Sequence, residues 1–145
     1  MSVQSRFRLY AMLRVLKFNK SYFLIAIVLF LVEVLIAKYL HDRIIRPYIG
    51  DMLVAILIYA FVKSFLDTPV LPTALAVLAF AFLTETLQYF RIVHRLGLQD
   101  SKLARIIIGT SFEWADLLVY VIGIGIVLGA EAAVRRCRSH VQSHG

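Results

Sequence analysis

Four long apolar runs, each broken by very few charges, dominate the pattern along the chain: Tyr22–Leu40, Tyr48–Leu66, Val70–Phe90 and Ala115–Val134. A hydrocarbon core of about 30 Å needs roughly 20 helical residues at about 1.5 Å each. Lipid offers the backbone no hydrogen bonds, so a spanning segment is a helix or part of a closed barrel. None of the runs has the strict apolar and polar alternation of a membrane strand. The pattern predicts an all-α polytopic membrane protein, a bundle of about four transmembrane helices. Residues 1–21 form a basic N-terminal segment, 22–134 the spanning domain and 135–145 a basic tail.

The links carry their own signals. Proline chemistry predicts turns at Arg46-Pro47-Tyr48-Ile49-Gly50 and across Asp67-Thr68-Pro69-Val70-Leu71-Pro72, and such short links imply antiparallel neighbours. The stretch His94–Trp114 is long, and its Leu103–Ile108 centre is too short to span, so it either lies along the interface or dips back in. Thr110-Ser111-Phe112-Glu113 has the form of a capping box, which predicts a helix start before the fourth run. Basic residues precede the first run as they would a signal peptide, but the run is too long for that and ends in Ala37-Lys38-Tyr39, so it reads as a retained anchor. In residues 6–20, Leu9, Met12, Leu13 and Leu16 share a helical face away from Arg6, Arg14, Lys17 and Lys20. An interfacial helix and a disordered basic tail both fit that pattern.

Composition agrees with the membrane reading, since 61% hydrophobic and 17% charged residues depart from soluble averages of roughly 45–50% and 25%. The net charge of +7 does not imply nucleic acid as a partner, because the cations cluster at the ends of apolar runs and form no stripe with interleaved aromatics. The one cysteine, Cys137, rules out an internal disulfide and reads as a free thiol at the membrane edge. With four spans, nine Lys and Arg fall on the side of the termini and seven opposite; five of the nine precede the first run. That segment dominates most topologies, so both termini are expected in the cytoplasm.

Topology then sorts the polar residues by depth. Glu33, Asp51, Glu85, Gln88 and Asp116 all fall in the outer half, and the long outer loop adds Arg105 as their expected cation. Glu85 and Gln88 share one helical face, as do Asp116, Tyr120 and Gly123. Intramembrane carboxylates are costly and commonly face an interior site, which makes Glu33, Asp51, Glu85, Gln88, Arg105, Asp116 and Tyr120 the candidate cluster. Structural readings stand beside this one. Asp51 and Asp116 suit helix N-termini through the macrodipole, Arg105 suits a lipid phosphate, and Glu85 with Gln88 suits a buried polar network. Gly125 and Gly129 form a small-residue pair that would permit close packing in an oligomer. Glu131 precedes Arg135 by one turn and reads as an ordinary helix pair. The histidines have no metal-binding spacing, and neither a metal nor a cofactor is expected.

Pro47-Tyr48-Ile49-Gly50-Asp51, Glu85-Thr86-Leu87-Gln88, Arg105 and Phe112-Glu113-Trp114-Ala115-Asp116-Leu117-Leu118-Val119-Tyr120, followed by Gly123, together resemble a bacterial family of small membrane proteins of unknown function. That family is in turn similar to the VanZ-like proteins, which share the Glu-x-x-Gln near the end of a span and an Asp opening the last one. The Asp-Lys-x-x-His segment that often opens VanZ-like domains has no obvious match here, and Gly50-Asp51 stands near its place. The resemblance implies a protein of the bacterial inner membrane with envelope functions, among which VanZ-like proteins are associated with glycopeptide resistance. The expected partners are membrane lipids and a lipid headgroup or envelope precursor held by the outer cluster. A membrane enzyme with Glu85 or Asp116 as acid or base, and a proton-coupled carrier, are the competing expectations.

Overall fold

The computed structural model describes residues 2–42, 45–103 and 113–143. Six helices account for most of them: α1 (Val3–Val15), α2 (Lys20–Tyr39), α3 (Ile45–Phe65), α4 (Val70–Tyr89), the short α5 (Ile92–Arg95) and α6 (Trp114–Ser143). Of these α2, α3, α4 and α6 are long and apolar enough to cross a membrane, and the chain is a multi-pass membrane protein. Among the described residues the only extended pairing is an isolated antiparallel bridge between Leu16 and Leu66.

Helix boundaries refine the expectations. Pro47 does not sit in a turn before the second span. α3 starts at Ile45, so Pro47 lies in its first turn, where a missing N–H costs nothing because those groups have no intrahelical acceptor. Pro72 occupies the same kind of position in α4, while Pro69 is the cap. The helix of the fourth span runs on past Val134, since α6 continues to Ser143. Its 30 residues measure about 45 Å, so the basic tail is a helical extension beyond the hydrocarbon. The N-terminal segment is helical over Val3–Val15 with Phe7, Leu9 and Tyr10 exposed. It packs on none of the other described helices.

The core is small and Ala-rich. Ala55 and Tyr59 of α3, Ala74, Val77 and Ala81 of α4, and Tyr120, Ile124 and Val127 of α6 form one buried cluster. Their spacing of three and four places each set on one helical stripe, and small side chains let backbones approach without a hydrophobic drive between helices. Gly123 shows this most sharply: a Cβ there would stand 2.9 Å from the Met52 carbonyl oxygen of α3. Gly125 and Gly129 have open space around them within the chain, so the close approach inside the bundle belongs to Gly123. Large apolar residues such as Leu24, Phe30, Phe61, Leu75, Phe80, Leu118 and Ile122 point outward, as lipid-facing positions should.

The bundle is asymmetric. α3 packs on α2, α4 and α6, and α4 packs on α6, while the backbone of α2 packs closely on α3 alone among the long helices. α2 is instead secured at its start. Lys17 N–H donates to Phe65 carbonyl at 3.0 Å, Asn19 N–H to Ser64 carbonyl at 2.7 Å and Asp67 N–H to Val15 carbonyl at 2.7 Å. The link before α2 thereby pairs with the link after α3, which satisfies backbone groups where the chain leaves the helices. Phe18, Phe23, Phe61 and Phe65 pack around this pairing with ring centroids 5.2–6.0 Å apart in tilted and edge-on pairs, the geometry aromatic rings prefer.

Candidate functional site

Two polar layers occupy opposite ends of the bundle. The first lies where α2 and α4 finish and α3 and α6 begin. Glu85 of α4 is 2% exposed and Asp116 of α6 is 8% exposed. Tyr120, one turn beyond Asp116, donates its hydroxyl to Glu85 Oε1 at 3.2 Å. Antiparallel running of α4 against α6 makes this contact, because it sets the last turns of one beside the first turns of the other.

Asp51 of α3 and Asp116 of α6 bring their carboxyl groups beside one another. Glu33 of α2 faces the start of α3, with Oε2 3.7 Å from where a Cβ on Gly50 would stand. Glu33 Oε1 and Glu85 Oε2 are buried and have no hydrogen-bond partner among the described residues. Glu33 and Asp51 line an open cleft of about 590 Å³ together with His41, Asp42, Arg46 and Pro47. Arg46 is the described cation at this cleft.

The structure thus brings Glu85 to Tyr120 and Asp51 to Asp116, and sets Glu33 at the same end. Gln88 is half-buried one turn after Glu85 and makes no side-chain hydrogen bond to a described member of the layer. Arg105 lies outside the described residues, as do Thr110, Ser111 and Phe112 of the capping-box reading and most of the Leu103–Ile108 segment. Glu113 precedes the described start of α6, and its carboxylate accepts the Tyr48 hydroxyl at 3.0 Å. This bond ties the entrances of α3 and α6 together. Among the described residues no group of three or more His, Cys, Asp or Glu is arranged to hold a metal ion.

The second layer was missed by residue reading. Glu131 is not a simple partner of Arg135. Its Oε1 accepts both the Tyr22 hydroxyl and, at 3.0 Å, the Tyr59 hydroxyl. Three helices, α2, α3 and α6, therefore meet on one carboxylate. The available signal was the presence of Tyr22 and Tyr59 at the matching depth, since an intramembrane tyrosine hydroxyl seeks an acceptor. Asp116 and Glu131 are 15 residues apart on α6, or roughly 22 Å along its axis, so the two layers are separate.

No curated protein and no solved structure matches the chain. The family described as a protein of unknown function (DUF2809) matches residues 40–124, which carry Asp51, Glu85, Asp116 and Tyr120, and the chain belongs to that family.

Proposed function

We propose that this chain is a bacterial inner-membrane protein of the cell envelope, akin to the VanZ-like proteins and with both termini cytoplasmic. In this reading it binds a polar ligand or lipid headgroup at its outer carboxylate layer without transforming it. The observation that carries the reading is the pair of buried acceptors, Glu33 Oε1 and Glu85 Oε2, that lack a donor among the described residues. Buried polar atoms in native proteins nearly always have a partner, and an orphan calls for one. Carboxyls from four helices surrounding such acceptors suit a donor-rich ligand bearing amine or hydroxyl groups. Native mass spectrometry of the purified protein tests this. The wild type should retain a small polar or headgroup-bearing adduct, and Glu33→Gln and Glu85→Gln should release it while accumulating normally. Identical spectra from all three proteins would overturn the reading.

A second reading is favoured by one observation, the juxtaposed carboxyls of Asp51 and Asp116. Adjacent carboxyls are a means of giving and taking protons, and would serve an enzyme acting on an envelope lipid with Asp116 or Glu85 as acid or base. Turnover of labelled envelope lipids in proteoliposomes, abolished by Asp116→Asn, distinguishes it from binding alone.

A further inference from the structure

We infer that the opposite end of the bundle, around Glu131, is a binding site for an anionic diacyl phospholipid, with the phosphate held by cations and one acyl chain lying between α2 and α6. This site is separate from the outer carboxylate layer and does not depend on its role. Its headgroup compartment is a pocket of about 260 Å³ lined by four cations, Lys17, Lys63, Arg135 and Arg138, against two carboxylates, Asp67 and Glu131. Glu131 is held in place by Tyr22 and Tyr59, and two carboxylates against four cations leave the pocket a net positive charge for a ligand.

Sequence separation conceals how these cations converge. Lys17 belongs to the link before α2 and Lys63 to the last turn of α3, and the backbone pairing of the two links brings them to one place. Lys63 gives one hydrogen bond to the Thr68 carbonyl and lies 5.6 Å from the centre of the Tyr22 ring. An ammonium has three donors, so the contact orients Lys63 without consuming it. Arg135 and Arg138 reach the pocket from the extension of α6.

The acyl compartment adjoins it. Because α2 packs on α3 but not on α6, a groove of about 320 Å³ opens between them. Ile25 of α2, Ile56 and Ala60 of α3, and Ile126 and Val127 of α6 line it. Tyr22, Glu131, Val134 and Arg138 border both compartments. The two therefore run together, basic at the membrane edge and apolar toward its interior. Basic pockets between membrane helices at the headgroup level suit anionic headgroups, and the attached chain supplies the apolar half of the match.

The test uses the full chain in detergent micelles with phosphatidylglycerol and phosphatidylcholine of identical chains, retention being read by native mass spectrometry. The wild type should retain phosphatidylglycerol preferentially. Lys17→Gln and Arg138→Gln, both at exposed positions, should each reduce that preference roughly 5-fold. Arg136→Gln, which does not line the pocket, should leave it unchanged. Ile126→Trp, which fills the groove and spares every cation, should also weaken retention. Equal retention of the two lipids overturns the proposal. So does full displacement by millimolar inorganic phosphate with Ile126→Trp silent, which would mark a site for free phosphate.

Discussion

Tyr120 of α6 donates its hydroxyl to Glu85 of α4 across the helix interface, 35 positions apart in the chain. It is the described hydrogen bond to a carboxylate whose other oxygen has no described partner. Removing the donor leaves the buried group unsatisfied, which costs about 1–3 kcal/mol, whereas replacing both partners by apolar groups is close to neutral. Tyr120→Phe should therefore lower the unfolding midpoint in detergent, and Tyr120→Phe with Glu85→Leu should recover much of the loss. Additive losses in the double variant would show that the two side chains are not coupled.

Gly123 and Gly125 separate packing from composition. A Cβ at position 123 meets the Met52 backbone, while one at 125 meets nothing within the chain. Gly123→Ala should destabilise by about 1–3 kcal/mol through overpacking. Gly125→Ala should be neutral or stabilising by up to about 1 kcal/mol, from helix propensity. Thermal unfolding of the two variants side by side is the measurement. Equal midpoints would contradict the close approach of α3 and α6.

The Glu131 bridge predicts non-additivity. Tyr22→Phe and Tyr59→Phe each remove one bond to a carboxylate, worth about 1.5–3 kcal/mol. Once Glu131→Leu has removed the shared acceptor, neither tyrosine change should cost much further. A thermodynamic cycle over the three positions reads this directly. Full-sized tyrosine effects in the Glu131→Leu background would mean that the hydroxyls serve another partner.

Topology is open to thiol chemistry. Cys137 is exposed near the end of α6, and under the proposed orientation it should escape an impermeant thiol reagent in intact cells and react after lysis. Cys137→Ser combined with Leu98→Cys should reverse the pattern, because Leu98 is exposed beyond α5 at the opposite end. The Cys137→Ser change alone is a surface substitution and should stay within about 0.5 kcal/mol of the wild type. Labelling of Cys137 from outside would invert the orientation.

What the chain determines by itself is its membrane character. Whether a segment spans depends on length and local apolarity against a slab of fixed thickness, a one-dimensional question, and α2, α3, α4 and α6 follow from it. Depth follows too, which is why Glu33, Asp51, Glu85 and Asp116 could be assigned to one end before any contact was known. Pairing depends on the rotation of each helix about its axis and on which neighbours it meets, and neither is a local property. The tertiary structure alone decides that Glu85 takes Tyr120, that Asp51 stands beside Asp116, and that Gly123 rather than Gly125 admits a neighbouring backbone of the same chain. It also decides that α2 stands off α6 while Tyr22 reaches Glu131 across 109 positions. The pairing of two short links, invisible to hydropathy, carries Lys17 to Lys63 and turns scattered basic residues into a pocket.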